Sequence, residues 1–161
     1  MKKILLAVII VACFSSAVLA RLARVYVAVN MDDAPIEILG FGRSGEEDED
    51  HIFSVVEYQN ITDRQIEAFA ITIIYYDAFN EKQAGVRGID DDLQPSQIWR
   101  GGWSIYGEPR FVKTAVAYVS AVRFINGEIW KADTEKVIET AGDMPELSFL
   151  SETKMLEIEK E

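Results

Sequence analysis

The chain has 161 residues, 49% of them hydrophobic, and its 27 acidic and 16 basic side chains leave a formal net charge of -11. That length suits one domain with a sizeable core. The charge argues against a nucleic-acid partner and against an anionic membrane surface, because an acidic protein repels phosphate.

The N-terminus reads as an export signal. Lys2 and Lys3 open it, Ile4 to Cys13 is an unbroken apolar run, and Val18-Leu19-Ala20 offers small residues to a signal peptidase. Cleavage is expected after Ala20, which makes 1–20 a signal peptide. Two alternatives stay open. Extended through Ala20, the apolar stretch approaches the roughly 20 residues that an uncleaved anchor needs. Ile10-Val11-Ala12-Cys13 also resembles the lipobox of bacterial lipoproteins, which would place a lipid on Cys13. Cleavage after Ala20 would remove the only cysteine, leaving an exported domain held by its core without a disulfide.

Strand patterns follow. In Arg24 to Asn30, Val25, Val27 and Val29 share a face. Asp32 to Pro35 is a turn, and Ile36 to Phe41 resumes extended structure. Gly40 to Asp50 reads as a glycine-rich loop ending in five consecutive acids. His51 to Asn60 is the next strand, and Asn60 to Arg64 reads as a hairpin-like connection. Ile66 to Tyr76, IEAFAITIIYY, has the composition of a central strand. Phe69, Ile71, Ile73 and Tyr75 fall on one face, and Ala68, Ala70 and Thr72 on the other. Burial is expected on one full side, with partial cover on the second.

Asp77 to Glu81 turns the chain. Val86 to Ile89 is a short strand, and Asp90 to Asp92 open a second acidic loop. Ser96 to Tyr106 is a strand in which Gly101-Gly102 suggest a bulge or bend. Lys113 to Phe124 is a long strand. Asn126-Gly127 signals a type I′ hairpin, with Glu128 to Lys131 as the return strand. Asp133 or Thr134 caps a helix that Gly142 ends. Glu146 to Glu161 reads as a frayed helix or charged tail. Seven or eight strands without βαβ units argue for an all-β, antiparallel sandwich over 21–133, with a helix and tail over 134–161.

VVEYQNITDRQIEAFAITIIYYDAF resembles the core of small exported bacterial Ig-like or fibronectin-like domains of the FxLYD type. Asn60, Thr62, Asp63, Tyr76 and Asp77 are the matching residues. In AYVSAVRFINGEIW, Phe124, Asn126, Gly127 and Trp130 resemble the closing hairpin of related exported proteins. The resemblance covers roughly 52–130 and departs at FNEKQAG, where an acidic-Gly turn is more usual. It implies an Ig-like sandwich outside the cytoplasm and transfers no functional residues.

Motifs with chemical meaning are few. Gly40 to Gly45 spells G-x-G-x-x-G, but the carboxylates that follow would repel a pyrophosphate, and no βαβ unit frames it. Among the acidic clusters, Asp90 and Asp92 are the candidate weak cation site, because they lie on one side of an extended segment. His51 is the only histidine and stands without partners for zinc or a triad. Trp99 and Trp103, four apart with Arg100 between them on the other side, form the candidate binding surface for a protein edge or carbohydrate. Asn60-Ile61-Thr62 matches a glycosylation sequon and reads as structural.

These readings lead to an expected exported, non-enzymatic Ig-like module that contacts a protein or envelope component. It would use no cofactor and no catalytic residue. Membrane contact would come only through the N-terminal segment. A cation- or carbohydrate-binding domain is the alternative, and a carboxylate hydrolase stands third.

Overall fold

A computed structural model describes residues 24–43, 51–106 and 112–151. The export segment with Cys13, the acidic run Glu46 to Asp50, and the chain beyond 151 lie outside the described residues. The strands are β1 (Val25–Val29), β2 (Ile36–Arg43), β3 (His51–Asn60), β4 (Ile66–Asp77), β5 (Lys82–Leu93), β6 (Ile98–Tyr106), β7 (Val112–Phe124) and β8 (Ile129–Lys131). Helix α1 (Thr134–Gly142) and a 3-10 helix (Pro145–Ser151) follow.

β4 explains the architecture. Its interior face presents Ile66, Phe69, Ile71, Ile73 and Tyr75, which pack against Ile36, Ile38, Val56 and Tyr58 of a second sheet. Its other face carries Ile74 and Tyr76, which join Val116 and Tyr118 beneath Val137, Ala141, Leu147 and Leu150 of the helical segment. A strand covered on both sides has no place for a charge in its middle. Each fully buried Ile contributes about 1.5–3 kcal/mol by leaving water. The partial second cover expected from sequence is therefore α1 with the 3-10 helix.

The first sheet runs β1-β7-β4-β5, with β8 also on β7, and the second runs β2-β3-β6. The result is an all-β sandwich of Ig-like connectivity, in which β3 to β4 and β5 to β6 change sheets. All pairings are antiparallel except β1 with β7, which is parallel.

Several local expectations change. Asn60 to Arg64 is a crossover between sheets. The buried Asn60 side chain donates to the carbonyls of Arg64 (2.8 Å) and Leu93 (3.2 Å) and accepts from Thr62 N–H (3.0 Å), which clamps the crossover to the end of β5. Asp90 to Asp92 belong to β5, not to a loop: the strand pairs with β4 at its backbone, Asp91 and Asp92 stay exposed as an edge strand allows, and Asp90 turns half-buried toward Tyr58. Gly40 to Arg43 extend β2 in the same way, with a register shift between Ile38 and Gly40.

Gly101-Gly102 make no bulge, since β6 pairs with β3 without a break in register. The hairpin at Asn126-Gly127 is not type I′. Gly127 (φ 87) is its left-handed residue, while Asn126 is absent from the positive-φ positions. The bonds Gly127 N–H to Phe124 C=O (2.8 Å) and Phe124 N–H to Glu128 C=O (2.9 Å) make a three-residue loop with a glycine bulge. Arg64 lies over the Phe124 ring at 3.6 Å and pairs with Glu128 at 2.7 Å, pinning this hairpin to the crossover. Its guanidinium holds the Glu128 carboxyl below the usual range.

Helix α1 starts where Asp133 accepts from Glu135 N–H at 3.0 Å. The first part of the expected tail is packed, because Leu147 and Leu150 of the 3-10 helix are buried.

Candidate functional site

The open edge of β6 carries the tryptophans singled out in the sequence. Trp99, Gly101 and Trp103 stand opposite Tyr58, Val56 and Ser54, all fully buried, so the three share the inward face. Yet the two indoles have different fates. Trp103 packs on the core, with its ring 6.5 Å from that of Tyr58. A Cβ at Gly88 of β5 would overlap the Trp103 indole, and one at Gly101 would lie 2.6 Å from it. Trp103 therefore fills a slot that two glycines leave open. Trp99, nearer the strand's start, is 54% exposed. Arg100 and Gly102 face outward, and a Cβ at Gly102 would lie 2.5 Å from Phe53. The candidate surface is thus one exposed indole and an Arg on the opposite face.

The edge has a definite phase. Asn60 N–H donates to Gln97 C=O at 3.1 Å. Mutually hydrogen-bonded pairs alternate in an antiparallel ladder. In this register Trp99, Gly101 and Trp103 bond to β3. The N–H and C=O groups of Ile98, Arg100, Gly102 and Ser104 then point off the sheet. β6 has no Pro and a single charged residue, whereas β5, an edge of the other sheet, carries Lys82, Arg87 and three Asp. By the usual guards against edge pairing, β6 is the less protected edge.

Asp90 and Asp92 are engaged separately. The Tyr58 hydroxyl donates to Asp90 at 2.5 Å, and Asp91 N–H donates to the other Asp90 oxygen at 3.0 Å. Burial first, then this hydrogen bond and the Asp90 charge, push the Tyr58 phenol far above its ordinary range. Asp92, in a left-handed conformation (φ 49), accepts from Gln65 (2.8 Å) and Gln94 (2.7 Å). Among the described residues no three His, Cys, Asp or Glu side chains gather to hold a metal ion.

Two residues of the family resemblance have clear structural roles, Asn60 and Asp77. Asn60 clamps the crossover, and its burial leaves the sequon no room for a glycan. Asp77 accepts from Phe79 N–H (2.7 Å), Glu81 N–H (3.0 Å) and Gln83 (2.7 Å), organising the β4–β5 turn. His51 begins β3, and its side chain lies outside the described ones. Sequence reasoning placed Arg100 on the face opposite the tryptophans, as the β3–β6 register has it, but missed the inward slot at Gly88. That slot becomes visible only when the two sheets are seen together.

No protein-family model matches the chain, and no curated protein matches its sequence. Among solved structures, it is similar to a hypothetical protein of Peptoclostridium difficile 630, at 10% identity and TM-score 0.49, over 66% of this chain and 90% of that one. It is also similar to a Bordetella pertussis protein given the name ApaA, at 10% identity and TM-score 0.39, over 60% and 84%.

Proposed function

We propose that this chain is an exported, non-enzymatic module that contacts a protein or cell-envelope component through the free edge of β6. An extended segment of the partner adds to the sheet as a further strand. Backbone bonds to the outward groups of Ile98, Arg100, Gly102 and Ser104 give affinity, and Trp99 gives an aromatic anchor. The observation that supports this most is the half-exposed indole of Trp99 on an edge strand with outward-pointing backbone groups and one charge. Export rests on Lys2, Lys3 and the apolar run to Cys13. The resemblance to FxLYD-type domains supports a contact role over a catalytic one, as analogy.

The test is capture of envelope proteins on the immobilised full chain, side by side with Trp99→Ala and Arg100→Pro. Proline at 100 removes an outward N–H and leaves the bonds to β3 in place. Both variants are expected to lose at least ten-fold of the captured partner while their melting curves stay cooperative. Equal capture on all three proteins would rule the edge out.

A further inference from the structure

The helical cover stops short of the β5 side of the first sheet and leaves a groove there with a volume of about 450 Å³. Its floor is β4 and β7, with the small residues Thr72 and Ala121. One wall is Lys82 and Arg87 of β5, and the other is Lys131 of β8. Among the described residues, no Asp or Glu lines it. In a chain with 27 acids and 16 bases, that local excess of cations runs against the overall composition.

The three cations also lack the contacts that would explain them structurally. Among the described residues, none of Lys82, Arg87 and Lys131 makes an ion pair, whereas Arg64 and Arg123 each have a carboxylate partner. The Thr72 hydroxyl has no hydrogen-bond partner among the described residues, so it remains a donor for a ligand. Ile74 of β4, on the same outer face as Thr72, adds an apolar contact to the floor. Polar groups converging on a partly apolar concavity of this size are the usual form of a small-molecule site.

We propose that this groove binds a small organic anion bearing at least two negatively charged groups. β5 and β8 are separated by β4 and β7, so their backbones lie about 14 Å apart at the ordinary strand spacing. A single small anion would meet one wall only. A ligand charged at both ends meets both: one group sits between Lys82 and the forked donors of Arg87, the other at Lys131. The Thr72 hydroxyl donates from the floor. Neither wall includes a residue of β6, so this site stands or falls independently of the β6 edge.

The test is calorimetric titration of the full chain with citrate and with pyrophosphate, and with acetate as the singly charged comparison. One saturable site is expected for at least one of the two polyanions, weakening as salt rises. Tighter binding of pyrophosphate assigns a phosphate-bearing ligand, and tighter binding of citrate a polycarboxylate. Arg87→Ala and Lys131→Ala should each weaken binding at least ten-fold. Lys136→Ala, which removes an equal charge on α1 away from the groove, should leave it unchanged. All three side chains are exposed, so the variants keep their fold. The proposal is overturned if neither polyanion binds, if acetate binds as well, or if Lys136→Ala weakens binding as much as Lys131→Ala.

Discussion

The indole of Trp103 occupies the space that a side chain at Gly88 would need, joining the edges of the two sheets. Gly88 is the inward residue of β5 between Val86 and Asp90, and it is buried. Alanine there forces either the indole or the strand to move. Gly88→Ala is expected to cost about 1–3 kcal/mol, the usual range for overpacking. Urea titration would show a lower midpoint with an unchanged slope. Combining it with Trp103→Phe should recover part of the loss, because the smaller ring frees the slot. Strict additivity of the two changes would mean that the residues do not compete for space.

The crossover from β3 to β4 depends on one amide. Asn60→Ala strips donors from the carbonyls of Arg64 and Leu93 and an acceptor from Thr62. Leaving such groups unpaired costs about 1–3 kcal/mol each where burial is complete. A loss of about 2–3 kcal/mol is therefore expected, read as a fall in melting temperature. Asn60→Asp keeps the acceptor but buries a charge facing two carbonyls, and it should be no better than alanine. A variant melting like the parent would show that the crossover holds without the clamp.

The same residues show how far the sequence could be read. β4 was legible because both its faces are apolar, which only a strand covered on both sides requires. A helix capped at Asp133 or Thr134 and ending at Gly142 was legible from local chemistry, and the structure assigns the cap to Asp133. The path after Asn60 was not, since Asn, Thr and Asp make an Asx turn equally well in a hairpin or in a crossover. Asp90 to Asp92 looked like a loop because their side chains are those of a solvated run. Their backbone pairing depends on β4, which composition does not report. Gly101 and Gly102 looked like a bend, but each is small because Trp103 or Phe53 lies over it. At the candidate site, the pattern placed Trp99 and Trp103 on one face. It did not show that Gly88 would admit only one of them to the core. The cationic groove was invisible for a similar reason: β5 and β8 are brought to its two walls only by the sheet order.

Two adjacent tyrosines offer a contrast within β4. The Tyr75 hydroxyl meets that of Ser54 at 2.8 Å across the sandwich, and both residues are fully buried. The Tyr76 hydroxyl, on the opposite face beside Phe149, has no hydrogen-bond partner among the described residues. Tyr75→Phe strands Ser54 and should cost about 1–2 kcal/mol. Tyr76→Phe removes a buried group that gains nothing from the protein, and it should be neutral or slightly stabilising. Thermal unfolding of the two variants in parallel distinguishes them. Equal losses would show that the Tyr76 hydroxyl is satisfied after all.

Buried phenols make stability fall at high pH. Burial is the leading cause pushing both Tyr75 and Tyr76 up to about 12, and it raises Tyr58 further with help from Asp90. In the unfolded chain these groups ionise near the ordinary value of about 10. Between the two values the native state holds more protons than the unfolded one, so stability declines as pH rises. Below about pH 10 the contribution is complete. It is lost as pH climbs through 12 and beyond for Tyr75 and Tyr76. Tyrosinate absorbance should therefore appear together with loss of the β-sheet signal in circular dichroism, not ahead of it. Asp90→Asn removes the charge beside Tyr58 but not its burial, so the alkaline transition should move little. If tyrosinate from these residues formed while the sheet signal persisted, water would have access to phenols that the packing places in the core.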